Sequence, residues 1–100
     1  MWVSFERLPV HEGFFELVQR GVSTGCTGAN ADHAAPWFAD RAGLDAVRRE
    51  LLFDPQTSGG LLLSTPPERA GALLDALLES GHRAAEIGEV LEGPARLEVV

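Results

Sequence analysis

Two short stretches of this 100-residue sequence combine residue types that can do chemistry. Asp54-Pro55-Gln56-Thr57-Ser58-Gly59-Gly60 offers a carboxylate, an amide, two hydroxyls and a glycine pair. Hydroxyls and successive backbone N–H groups in such a turn can cradle an anion. The same residues also suit a tight loop feeding a buried strand, with the glycines permitting close packing, and on residue chemistry alone that is the simpler reading. Ser23-Thr24-Gly25-Cys26-Thr27-Gly28-Ala29-Asn30 is a second stretch of small residues, able to wrap a phosphate or a partner surface, or to serve as an ordinary surface loop. Cys26 is the sole cysteine, and His11, His33 and His82 are the only histidines. A thiol nucleophile needs a base or a nearby cation to lower its pKa, and no spacing here supplies one. Asp32-His33 are adjacent metal-ligand types, but two neighbouring ligands do not make a site. No catalytic residue and no metal ligand is assigned.

Composition narrows the chemistry further. The cationic residues are all arginine, with no lysine, so a Walker A loop, a Schiff-base lysine and a lysine general base are all excluded. A formal net charge of -7 argues against a protein that tracks a phosphate backbone, and no nucleic-acid partner is expected. Hydrophobic residues at 45% and charged residues at 23% give enough apolar surface for a core, so the chain should fold. No apolar run approaches the roughly 20 residues needed to cross a bilayer. The start, Met1 to Glu6, lacks the basic and apolar regions of a signal peptide. These readings predict a single cytoplasmic domain over residues 1–100, with no internal disulfide and no membrane partner.

The elements that must position these residues follow from periodicity. Alternation over residues 2–7 predicts a short half-buried strand, ended by Pro9. Val10, Phe14, Leu17 and Val18 form one stripe of a helix from Val10 to Arg20, closed by Gly21. Residues 22–36 show no period and read as a loop; Pro36 to Ala39 reads as a helical turn, and Leu44 to Leu52 as a helix. Leu61-Leu62-Leu63 is a continuous apolar run, predicting a strand buried on both faces. Thr65 as N-cap, Pro66 at the first helical position and Glu68 two residues on read as a capping box. The helix they start carries Ala70, Leu73, Leu74, Leu77 and Leu78 on one stripe and ends at Gly81. Ala84 to Val90 and Ala95 to Val100 predict two strands joined at Glu92-Gly93-Pro94 as an antiparallel hairpin. Residues 60–90 read as strand, helix, strand, with a right-handed crossover if the strands are parallel. The fold class is α+β, a small mixed or antiparallel sheet packed with helices.

The run Asp54-Pro55-Gln56-Thr57-Ser58-Gly59-Gly60-Leu61-Leu62-Leu63 resembles the signature in the C-terminal domain of selenophosphate synthetase (selenide, water dikinase). Leu8-Pro9, the helix after it and Gly21-Val22 resemble the segment before that family's Gly-Gly-Thr-x-Arg-Asn loop, which here reads Gly25-Cys26-Thr27-Gly28-Ala29-Asn30. Pro66-Pro67-Glu68 and Ile87-Gly88-Glu89-Val90 also match, so the similarity covers nearly the whole chain in the family's order. The resemblance implies an α+β domain of the aminoimidazole ribonucleotide synthetase superfamily, partly ferredoxin-like. The family makes selenophosphate, AMP and phosphate from selenide, ATP and water, with magnesium. The resemblance places Thr27, Asn30, Asp54, Gln56, Thr57, Ser58, Gly59 and Gly60 near the family's interdomain cleft.

The departures are as informative. The family's catalytic cysteine or selenocysteine, its lysine, and the aspartates that hold magnesium and ATP phosphates belong to an N-terminal region without a counterpart here. Cys26 replaces the second glycine of the loop motif and is not the catalytic cysteine, and the motif's arginine is lost at Gly28-Ala29. The family's Asp-x-Thr-Gly-Phe-Gly stretch is also missing. The resemblance therefore implies the C-terminal part of a synthetase, or a truncated relative, that is not catalytic alone and holds no cofactor by itself, ATP and magnesium belonging to the full enzyme. Two alternatives stand beside it: a self-associating interaction module and a small phosphate-ligand binder built on Thr57, Ser58, Gly59 and Gly60. Loss of the family domain's leading segment should leave apolar surface exposed, so the expected partner is a second copy or an N-terminal synthetase domain.

Overall fold

The computed structural model describes residues 1–100. Its centre is the C-terminal strand. β4 (Leu97–Val99) lies between β1 (Trp2–Val3) and β2 (Phe38–Asp40), parallel to both, and β3 (Gly88–Glu89) runs antiparallel on the far side of β1. The sheet order is β2-β4-β1-β3. Val3 and Asp40 are both in register with Val99, whose side chain is completely buried. The Val99 carbonyl also accepts from the amides of Arg41 (2.8 Å) and Ala42 (3.0 Å), which extends pairing past the end of β2. The terminal ammonium of Met1 donates to the Arg96 carbonyl at 2.9 Å, so the two chain ends are tied together.

Four helices complete the α+β fold: α1 (Phe14–Gln19), α2 (Thr27–Ala34), α3 (Ala46–Phe53) and α4 (Pro67–Glu79). Helix α3 lies against both α1 and α2. It starts where Asp45 accepts the amide of Arg48 at 2.8 Å, an N-cap that satisfies one of the unpaired first-turn donors. It ends at buried Phe53, whose ring meets Phe38 of β2 edge-on at 5.2 Å. The Arg49 guanidinium lies 5.5 Å from the Phe38 ring centre and pairs with Asp40 at 3.6 Å. Asp40 in turn accepts from the amides of Gly43 and Leu44 and fixes the turn from β2 into α3. The buried apolar core is small: Val3, Phe5, Phe53 and Val99. No helix is long and apolar enough to cross a membrane.

Several expectations hold. Gly21 and Gly81 close α1 and α4 at positive φ, each with the paired carbonyl-to-amide bonds of a Schellman end, Val22 to Leu17 in one and His82 to Leu77 in the other. Leu97 and Val99 do point inward from β4. The strand expected over residues 2–7 is cut to Trp2–Val3, because its partners run out: the Ser4 amide reaches Ile87 and the Phe5 amide reaches Val100, after which the chain turns in a 3₁₀ turn at Phe5–Arg7. The first helix begins at Phe14 rather than Val10, held back by Gly13 at φ 81°.

Five readings are corrected. Residues 22–36 are not a loop throughout, since Thr27–Ala34 is helical. The Pro36–Ala39 turn is a 3₁₀ turn at Ala35–Trp37 that leads directly into β2. Leu61–Leu63 is not a buried strand: the three side chains are 88, 66 and 53% exposed and belong to no element. Without that strand, residues 60–90 contain no parallel strand pair and no crossover. Thr65 does not cap α4. Pro67 forces the preceding Pro66 into an extended conformation (ψ 141°), so the helix starts at Pro67 and its N-cap is a proline with no side-chain acceptor. Finally, β3 and β4 do not form a hairpin; β1 lies between them and takes a bond ladder from each side.

Two stability measurements test this architecture. Val99→Ala should cost about 2–3 kcal/mol in urea unfolding, since it empties the centre of the sheet. A Cβ on Gly88 would lie 2.0 Å from the Trp2 carbonyl oxygen, whereas one on Gly71 in α4 meets nothing within 4 Å. Gly88→Ala should therefore lower stability by roughly 1–3 kcal/mol. Gly71→Ala should raise it by roughly 0.5–1 kcal/mol through helix propensity.

Candidate functional site

The two stretches singled out by chemistry meet at the end of α3. Helix α2 has an Ala-rich sequence with no apolar stripe and is fixed by polar contacts instead. Thr27, in its first turn, is buried, and its hydroxyl lies 2.9 Å from that of Thr24. The Thr24 hydroxyl also accepts from the Cys26 amide at 3.3 Å. The Ser23 hydroxyl donates to the Glu50 carboxylate on α3. One turn further along α2, the Asn30 side-chain amide donates to the Phe53 carbonyl at 2.8 Å. Carbonyls in the last turn of a helix lack an intrahelical partner, so Asn30 serves as the side-chain cap of α3. It thereby fixes where the following segment leaves the domain.

That segment begins at Asp54, in extended conformation, with Pro55 after it. The Gln56 side-chain amide donates to the Asp54 carboxylate at 2.5 Å. Thr57 and Ser58 form a turn, both exposed, and their hydroxyls make no hydrogen bond within the chain. Gly60 has φ 72°, a conformation that L side chains rarely adopt, so glycine is required there for backbone reasons. Gly59 has open space around its Cβ position, so the packing role first considered for this pair is not exercised within this chain.

An open groove of about 350 Å³ lies at this junction, lined by Asn30, His33, Phe38, Phe53, Asp54 and Leu97 among others. Of the eight residues the sequence points to, the structure puts Asn30 and Asp54 in the groove wall. Gln56 is hydrogen-bonded to Asp54, Thr27 is buried at the root of α2, and Thr57, Ser58, Gly59 and Gly60 are exposed and do not line the groove. Phe38 and Leu97 carry no groove signal in the sequence: β2 is too short to show a period, and alternation in β4 turns Leu97 inward without naming what it faces. His33 lies edge-on to Trp37 at 5.7 Å. Cys26 is exposed at the start of α2. No three His, Cys, Asp or Glu side chains converge anywhere.

Asn30→Ala should remove the α2–α3 bridge and cost about 1 kcal/mol, measured by chemical unfolding. Asn30→Asp should cost more, since it turns a carboxylate toward a carbonyl. In both variants, exchange of the Asp54 amide, which donates to the Glu50 carbonyl in the last turn of α3, should quicken relative to β4.

No family model matches the chain. Among curated proteins it is similar to the selenide, water dikinase of Burkholderia pseudomallei, 42% identical over 98 residues, which is 97% of this chain and 28% of that protein. The selenide, water dikinase of Dechloromonas aromatica is 36% identical over 99 residues, again with 28% of the relative covered. That of Bdellovibrio bacteriovorus is 36% identical over 89 residues, covering 25% of the relative. The chain thus spans just over a quarter of the length of the relatives it matches, consistent with the C-terminal portion of the synthetase that the sequence motifs indicate. It is a partial relative of the selenide, water dikinases.

Proposed function

We propose that this chain is a catalytically incomplete module of the selenide, water dikinase type, which supplies one wall of a cleft whose reacting groups belong to other residues. The observation that carries this reading is the coverage: nearly every residue of this chain aligns with the dikinases, yet the match makes up only 28% of their length. The local geometry supports it. Asn30 on Phe53 and Gln56 on Asp54 hold the 54–60 segment at the rim of an open groove, leaving the Thr57 and Ser58 hydroxyls and the neighbouring backbone amides unspent. Such groups can orient a polar ligand. Phosphoryl transfer also needs cationic or metal groups on the transferring phosphate; no arginine lines the groove, so in this proposal those groups come from outside the 100 residues. The proposed role of this segment is to orient and enclose, not to activate.

Purified chain given ATP, magnesium and selenide should form no AMP above the protein-free rate. Selenide-dependent AMP formation by these 100 residues alone would overturn the proposal. The positive arm adds the chain to the Burkholderia pseudomallei relative shortened by the segment that this chain matches. Rescue of activity should occur in trans, and Gly60→Val, which strains the left-handed turn, should lower it at least tenfold while circular dichroism stays unchanged.

A further inference from the structure

The two aromatic rings of the groove wall share one cation. The strand period puts Phe38 and Asp40 on one face of β2, and the helix period puts Arg49 and Phe53 on one face of α3. The Arg49 guanidinium lies where these faces meet. Its Cζ is 5.5 Å from the Phe38 ring centre and 5.9 Å from that of Phe53, and the two rings meet edge-on at 5.2 Å. Its Nη1 is 3.6 Å from Oδ2 of Asp40. Phe38 and Phe53 line the groove and Arg49 does not, so Arg49 acts on the groove through the rings.

The anchor of this cation sets it apart from the other arginines. Four ion pairs are present, and the Asp40 side chain is 14% exposed, against 36% or more for the other carboxylates. Asp40 is also fixed in place. Its Oδ1 accepts from the Gly43 amide at 2.8 Å and its Oδ2 from the Leu44 amide at 3.0 Å. An exposed pair of free side chains contributes little, because both must be ordered to form it. Here the turn from β2 into α3 has already ordered the carboxylate. A guanidinium is flat and stacks on aromatic faces, whereas a lysine ammonium is a compact point charge. The other arginine stacked on a ring, Arg48, lies over Phe5 and pairs with Glu6.

Arg49 stands one turn before Phe53, the last residue of α3. The Phe53 carbonyl goes to Asn30, and the next amide, that of Asp54, donates to the Glu50 carbonyl at 3.0 Å. We infer that Arg49 is the positioning residue of the groove: braced by Asp40, its guanidinium holds the Phe38 and Phe53 rings together and so sets where the 54–60 segment leaves α3. Every contact in this set lies within the chain, so the role does not rest on the dikinase-module reading.

Hydrogen exchange of the 100-residue chain tests it. Arg49→Met keeps an aliphatic side chain but removes the flat cation. Exchange of the Asp54 amide should quicken roughly tenfold. The Val100 amide, which donates to the Val3 carbonyl beside β4, should keep its wild-type rate. Arg49→Lys keeps a charge for Asp40 without the flat surface, and should quicken Asp54 exchange by roughly threefold. In the wild type, ring currents should move the Arg49 Cδ protons upfield of their ordinary position, and Phe38→Leu should move them back. A part in general stability alone would quicken the Asp54 and Val100 amides together, and that result would overturn the inference. So would wild-type Asp54 exchange in Arg49→Met or in Arg49→Lys, or Cδ protons at their ordinary position in the wild type. If Arg49→Met does not fold, Arg49→Lys and the wild-type proton shift decide.

Discussion

Val99 is the residue on which both ends of the chain converge. Its side chain has no exposed surface, its strand pairs with β1 on one side and β2 on the other, and its carbonyl takes two further amides beyond β2. Because β1 and β4 are parallel neighbours, with Trp2 beside Glu98 and Val3 beside Val99, the first and last strands of the sequence are adjacent. Everything between must leave the sheet and return to it. The helices α1, α2 and α3 do so against Phe5, Phe38 and Phe53, which link the helical side to the strands. With so few fully buried residues, the loss of one central contact removes a large share of the core, since domain stability is a small difference between large terms.

The candidate site depends on the same frame at one remove. β2 carries Phe38, which holds Phe53 at the end of α3; Phe53 offers its carbonyl to Asn30; and Asn30 anchors α2. The 54–60 segment leaves from that point, so its position is set by an aromatic pair and one hydrogen bond. This is an economical way to place a loop at a groove. It also explains why the chemistry of the segment is sparse: its residues are arranged to be presented, and the charged groups nearby are engaged in turns and caps, as Asp40 and Asp45 are.

Much of the fold is legible in the sequence where a single local rule applies. Gly21 and Gly81 end helices because only glycine takes their left-handed conformation without cost. The leucines of α4 are spaced for a helix, and α4 is one. Leu97 and Val99 alternate with polar neighbours and face inward. Where rules compete, the reading fails. Thr65 and Glu68 fit a capping box, yet two successive prolines move the helix start beyond the reach of Thr65. The stretch from Thr27 to Ala34 has no apolar stripe, because its helix is held by Thr27 and Asn30 through hydrogen bonds that leave no periodic trace. Strands of two or three residues, such as β2, are shorter than any period they could display.

The sequence by itself determined the residue types available for chemistry: no lysine, a single cysteine, and one distinctive run from Asp54 to Leu63 that marks the kinship with selenide, water dikinases. It also determined the C-terminal ends of α1 and α4 and the α+β class, because these follow from backbone preference and local pattern. Tertiary structure decided which strands are neighbours, since β1 enters between β3 and β4 from the opposite end of the chain. It likewise decided that Asn30 meets Phe53, a partner 23 residues away that no local signal names. And it left Leu61–Leu63 without a place in the sheet, because burial of an apolar run is a property of the surfaces offered to it, and this chain's own sheet offers only an edge.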